Sequence, residues 1–291
     1  MSATLVVELV TEELPPKALK ALGASFADTL AAELKRRGLL TDSSAVTPYA
    51  TPRRLAVAIS HVATVAADKP VIDKLMPAKV AFDANGQATQ ALVKKLASLG
   101  RAHLATSSPE ASDGPDRLYV ESDGKADYVY LRRLAKGQSL DVAVQEALDA
   151  AIEALPIPKI MRYAAPGSYY NDAAFVRPAH RLLALHGIAT VQVTALGLAA
   201  SNVTSGHRFM SRDGIVVATA DAYAPTLEAE GKVMPEFAQR RAAIVERLQR
   251  AATGATVVMP DALLDEVTAL VEWPSVHAGT FDKAFLAVPQ E

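Results

Sequence analysis

Residues 155–181 read LPIPKIMRYAAPGSYYNDAAFVRPAHR, and this stretch punctuates the whole chain. Pro156 and Pro158 fix two φ angles and bias Leu155 and Ile157 toward extended backbone, so a helix running into the stretch stops there and the chain leaves as a stiff strap. Lys159, Arg162, Arg177, His180 and Arg181 follow, interleaved with Tyr163, Tyr169, Tyr170 and Phe175. Cations that neutralise phosphate thus stand among rings that stack on bases. The same mixture lines ordinary protein interfaces.

Upstream of the strap, Leu140, Val144, Leu148, Ile152 and Leu155 form one apolar stripe behind Ser139 at a cap position, which predicts a helix. Before it, residues 117–122 and 128–134 flank Asp123-Gly124-Lys125, a β-hairpin signal. Residues 68–82 read as a proline-punctuated loop, 87–99 as a helix ending at Gly100, and 101–114 as a mobile loop. At the front, residues 5–10 (LVVELV) read as a buried strand. Leu19, Leu22, Phe26, Leu30 and Leu34 then make a helix that starts near Pro15-Pro16 and ends at Gly38. Glu12 and Glu13 are expected to serve as helix N-terminal charges rather than in acid/base work. Tyr49-Ala50-Thr51-Pro52-Arg53-Arg54 leads into alternating Leu55, Val57 and Ile59, a strand with two guanidinium forks at its mouth. Those forks suit a phosphate or carboxylate groove, and equally an exposed, solvated turn.

Downstream, residues 182–186 and 190–196 flank Gly187 as a second hairpin. Residues 202–210 form a polar loop in which Gly206-His207-Arg208 presents donors. A strand at 215–219 and a helix at 221–230 follow, then a helix at 235–252, one at 260–271, and a strand at 275–279. Arg240, Arg241, Arg247 and Arg250 stud the 235–252 helix, but Glu236 with Arg240 and Glu246 with Arg250 stand four apart, acid first, which predicts a solvated, ion-paired face. The ending FLAVPQE, with no terminal cap or polar tail, reads as a cut within something longer. Strands and helices alternate irregularly, so the expected fold is α+β, with mixed or antiparallel sheets and packed helices. Two subdomains are expected, 1–160 and 161–291, with the boundary near the strap.

At 291 residues and 50% apolar, the chain can bury a large core, and its formal charge of −2 provides no global positive field. RNA contact therefore requires a local patch. The absence of cysteine excludes disulfides and thiolate chemistry and suits the cytoplasm. No secretory signal is read at the amino terminus, and the apolar runs are too short to span a bilayer. No P-loop, dinucleotide fingerprint or nucleophile elbow occurs, and His61, His103, His180, His186, His207 and His277 show no metal-site spacing.

Several of these islands recur in a known order. Residues 11–17 (TEELPPK), 51–56 (TPRRLA), 155–162 (LPIPKIMR), 175–178 (FVRP), 206–210 (GHRFM), 271–274 (VEWP) and 285–289 (FLAVP) together resemble the amino-terminal part of the β subunit of bacterial heterotetrameric glycyl-tRNA synthetase. The family's usual Arg-Trp-Gly after the strap is here Arg162-Tyr163-Ala164, and the chain ends before the family's carboxy-terminal tRNA-binding regions. The resemblance implies an α2β2 assembly with tRNA(Gly) as partner, in which the separate α subunit carries glycine activation and uses ATP with Mg. It implies that this chain binds no cofactor and contributes no catalytic residue. It also implies likeness to the B3/B4-type module of phenylalanyl-tRNA synthetase β chains. Arg53, Arg54, Lys159, Arg162, Arg177, His180, His207 and Arg208 are then the candidates for contact with tRNA or a neighbouring subunit. Two alternatives stand beside this reading: a hydrolytic editing pocket in which His180 or His207 positions water, and a purely structural role in which the cations pair with acids inside the assembly.

Overall fold

The computed structural model describes residues 2–106, 116–170 and 173–287. Strand β1 (Ser2–Thr11) is followed by helix α1 (Pro16–Arg37) and strands β2 (Val46–Thr51) and β3 (Arg54–Ala63). Then come β4 (Lys69–Pro77), α2 (Ala78–Ala81), α3 (Gln90–Ser98), β5 (Arg117–Ser122) and β6 (Asp127–Ala135). The chain continues through α4 (Leu140–Glu153), β7 (Met161–Tyr163), β8 (Ala173–Phe175), β9 (Ala179–His186), α5 (Tyr223–Ala229), α6 (Phe237–Ala251) and α7 (Asp261–Leu270). The fold is α+β, as the sequence predicts.

The chain divides into two compact units, Met1–Val65 with Ser139–Glu291, and Ala66–Gln138. The division does not follow the 160/161 boundary expected from the strap, because β9, beyond the strap, pairs with β1 at the front of the chain. The strap lies within the larger unit and is not a linker.

The larger unit is built on β1. Its apolar run is buried from Leu5 to Thr11, as suits a strand covered on both faces and paired on both edges. β3 and β9 flank it antiparallel, β2 lies outside β3, and Leu198–Ser201 runs parallel to β9, within a seven-stranded sheet. Val6 packs on one face with Tyr49, Tyr223 and Leu227. By alternation Leu5, Val7 and Leu9 lie on the other face, which α1 covers along β2 and β3, with α4 beside α1. The close approach of α1 to β2 needs Gly23, since a Cβ there would stand 2.6 Å from the Ala50 Cβ. Gly38, at φ 83°, ends α1 in the left-handed conformation.

The smaller unit is a three-stranded antiparallel sheet in the order β4, β6, β5, with Leu118, Val129 and Leu131 packed on Leu92 and Leu96 of α3. Its two ends meet at a bond from Ala66 N–H to the Gln138 carbonyl of 2.9 Å, and Gly137 crosses Ala66 so closely that any Cβ would collide with the Ala66 carbonyl.

Several expectations need correction. The loop expected at 68–82 is β4 and α2; β4 is an edge strand, where Pro70 needs no ladder hydrogen bond. No strand forms at 275–279, where that segment finds no ladder partner among the described residues. The Gly187 hairpin is short, pairing only Ala189–Thr190 with β9. Ser139 stands at the α4 cap position without a side-chain capping bond. Residues 107–114 of the expected mobile loop and the final residues 288–291 lie outside the described residues.

Candidate functional site

The site is organised by a carboxylate inside an apolar strand. Glu8 is fully buried in β1, where Oε1 accepts from Arg54 Nη1 at 2.9 Å and from the Tyr223 hydroxyl at 2.6 Å. Arg54 is itself buried and donates through Nε to Thr51 Oγ1 at 3.2 Å and through Nη2 to the Ser205 carbonyl at 2.7 Å. Thr51 in turn donates to Glu272 Oε1 at 3.0 Å. Burial alone would make the guanidinium easier to deprotonate, but the Glu8 carboxylate reverses this and holds it above its usual value. The Tyr223 hydroxyl is pushed well above 10 by burial and by the Glu8 charge. Arg54, expected at the mouth of a groove, is therefore an internal cation that ties β1, β3, residue 205 and residue 272 together.

Arg240 is a second correction. It is no partner of Glu236 on a solvated face; it is buried and donates to the carbonyls of Ala50 at 2.7 Å, Met234 at 2.6 Å and Thr268 at 3.1 Å. Burial pushes it down to about 10, so it stays cationic at neutral pH. Arg250 and Glu246 do form the expected exposed pair.

Outside this buried layer, three backbone segments are stitched side by side. Thr11 N–H donates to the Arg53 carbonyl at 2.8 Å, Leu14 N–H to that of Pro52 at 2.6 Å, and Glu12 N–H to that of Pro178 at 2.9 Å. This brings Glu12 between two basic side chains, with Oε1 2.9 Å from His180 Nε2 and Oε2 accepting from Arg208 Nη2 at 2.9 Å. The Arg208 hydrogen bond, aided by His180, holds the Glu12 carboxyl below its usual value. Glu12 thus pairs across the fold and does not charge α1, whose first turn holds no acid. Arg177 Nε donates to the Glu13 carbonyl at 3.0 Å.

These turns border a cleft of about 240 Å3 whose lining includes Glu13, Arg53, His207, Arg208, Phe209 and Trp273. Arg53 Nε and Nη1 are shielded from solvent and have no acceptor. His207 Nδ1 accepts from the Phe209 N–H at 3.2 Å, and the Phe209 ring is 87% exposed. Of the eight candidates, Arg53, His207 and Arg208 line the cleft, and His180 joins them through Glu12. Arg177 borders them through Glu13, while Arg54 lies in the buried layer. Lys159 and Arg162 are exposed on the strap, where β7 pairs with β8, and do not line the cleft. Glu8, Tyr223 and Glu272 escaped the sequence reading. The one legible signal was a lone acid within LVVELV, a charge that a doubly covered strand tolerates only when paired.

Comparison with known proteins agrees with the order of the islands. Residues 5–291 match the family described as glycyl-tRNA synthetase beta subunit. The chain is 51% identical over 299 residues to the glycine–tRNA ligase beta subunit of Dechloromonas aromatica, covering all of this chain and 41% of that protein. It is 47% identical over 289 residues to the protein of the same name from Ralstonia nicotianae, covering 99% of this chain and 40% of that one. The match to its counterpart from Polaromonas naphthalenivorans is 51% over 298 residues, with 99% and 41% covered. The chain thus spans about 40% of the length of these relatives.

Proposed function

Since the chain belongs to the glycyl-tRNA synthetase beta subunit family, we propose that it supports the ATP-dependent attachment of glycine to tRNA(Gly) as the amino-terminal part of a β subunit, its cleft face contacting the tRNA. In this reading a separate α subunit activates glycine and uses ATP with Mg in a cytoplasmic α2β2 assembly, and this chain orients the nucleic acid for it. Among the described residues no helix is long and apolar enough to cross a membrane.

The observation that carries the reading is the contrast within one dipeptide. Arg54 is consumed by internal acceptors, whereas Arg53 keeps two shielded N–H groups without an acceptor beside an exposed phenylalanine. A shielded guanidinium donor left unpaired costs roughly 1–3 kcal/mol or more, so the free chain holds a site that gains when an oxyanion arrives. A phosphate on Arg53 and Arg208, with a base against Phe209, uses both kinds of group at once.

In the assembled enzyme, Arg53→Ala with Arg208→Ala should lower kcat/KM for tRNA about tenfold or more. It should also reduce the salt slope of tRNA binding by about one for each phosphate no longer neutralised. Glycine-dependent ATP–pyrophosphate exchange and subunit assembly should stay at parental levels. Unchanged charging, or a loss of assembly that accounts for the defect, overturns the reading.

A further inference from the structure

The smaller unit carries a second surface, independent of the cleft. Strand register sets three rows across β4, β6 and β5: Ile72, Arg132 and Arg117; then Lys74, Tyr130 and Tyr119; then Pro77, Tyr128 and Glu121. The strand alternation that buries Leu118, Val129 and Leu131 under α3 turns Arg117, Tyr119, Tyr128, Tyr130 and Arg132 to the opposite face. A sheet needing only solubility would carry mixed small polar residues there. Here the Tyr119 and Tyr130 rings stack with centroids 5.5 Å apart and planes 20° from parallel. Lys74 Nζ stands 3.4 Å over the Tyr128 ring, and the Arg117 guanidinium 5.9 Å from that of Tyr119.

The charges on this face point to an anion. Arg117 and Arg132 are exposed and directly opposite one another, a like-charge cross-strand pair that weakens the sheet. Their neighbours Arg101 and Arg133 are neutralised by Asp116 and Asp73, but among the described residues Arg117 and Arg132 have no acidic partner. Lys74 is shared with Asp123 at 2.9 Å. Residues 66–138 hold eleven Lys and Arg against nine Asp and Glu, in a chain whose overall charge is −2.

We propose that the outward face of β4, β6 and β5 is a platform for single-stranded RNA. Unstacked bases lie on the tyrosines, while Arg117, Arg132 and the shared Lys74 neutralise the backbone. Tyrosine faces accept any base, and rows that repeat about every 6.7 Å along the strands let successive splayed bases meet successive rows. An acidic peptide would engage the arginines and leave the three rings unused. A-form duplex RNA hides the base faces that the rings would stack on.

The test uses this 291-residue chain and a fluorescein-labelled oligouridylate octamer, read by anisotropy. Tyr119→Ala with Tyr130→Ala should weaken binding about tenfold or more, the loss of at least one stacked base. Tyr119→Phe with Tyr130→Phe should stay within about twofold of the parent, and thermal melts check that each variant is folded. Arg117→Ala with Arg132→Ala should reduce the salt slope by about 0.7 for each phosphate set free. Parental affinity in a folded alanine pair, equal competition by duplex RNA, or equal displacement by polyglutamate overturns the platform. Binding lost in Arg53→Ala with Arg208→Ala but kept in the tyrosine variants also overturns it, and leaves the cleft reading standing.

Discussion

The cleft face of the larger unit and the tyrosine face of the smaller one hold their cations in opposite ways. Around the cleft most basic side chains are already engaged, Arg208 and His180 by Glu12 and Arg177 by the Glu13 carbonyl, and in the buried layer Arg54 is held by Glu8. Among the described residues there, Arg53 retains shielded donors without a partner. On the sheet of the smaller unit, Arg117 and Arg132 stand side by side in solvent with no acid among the described residues to neutralise them. The first arrangement orders backbone turns and leaves one guanidinium with unpaired donors; the second leaves a plane of rings and exposed cations. Cation count alone does not separate the two, because a cation's role depends on whether the fold brings it an acceptor.

The strongest way to break this comparison is at Arg54. Arg54→Ala strands Glu8 in the core and should cost about 3–5 kcal/mol of stability, measured by urea denaturation. A loss below about 1 kcal/mol, the range of an exposed pair, would remove the distinction between engaged and free cations. Glu8→Leu with Arg54→Met should recover part of the loss, because no charge is then left buried alone.

A smaller effect is expected at Tyr223. Tyr223→Phe removes the 2.6 Å bond to Glu8 and should cost roughly 1.5–3 kcal/mol, the range for a hydrogen bond to a charged group. The fold holds the Tyr223 proton well above its usual value, so the stability linked to it is complete below about pH 10, where unfolded tyrosine is also neutral, and is lost as pH rises further. In Tyr223→Phe the fall in stability above pH 10 should be shallower, seen in urea midpoints taken from pH 9 to 11.

The smallest effect sharpens the other side. Lys74 and Asp123 form an exposed pair, and Lys74 holds the Asp123 carboxyl down to about 2. Asp123→Asn should leave the neutral-pH denaturation midpoint unchanged within error. It should also strengthen octamer binding slightly by releasing Lys74, whereas weaker binding would place Asp123 on the ligand side of the platform.

Much of the fold is legible in the linear order of residues. The stripe Leu19, Leu22, Phe26, Leu30, Leu34 with Gly38 specifies α1, and Asp123-Gly124 specifies the β5–β6 turn, because local periodicity and turn stereochemistry act over a few residues. β4 is not legible, since its prolines mimic a loop and only pairing with β6 makes it a strand. Arg53 and Arg54 are indistinguishable as text. They differ because Arg54 opens β3 and reaches Glu8, 46 residues away, whereas Arg53 lies in the turn before it and lines the cleft.

Composition and local pattern by themselves determined an α+β chain with an apolar core, the helices and hairpin, and an ordered set of proline and arginine islands. Tertiary structure alone decided that residues 66–138 form their own unit, that islands far apart in the chain border one cleft, and which cations remain without an internal acceptor. The physical reason is that burial and charge pairing are properties of the space around a side chain, and distant segments fill that space only when the chain has folded.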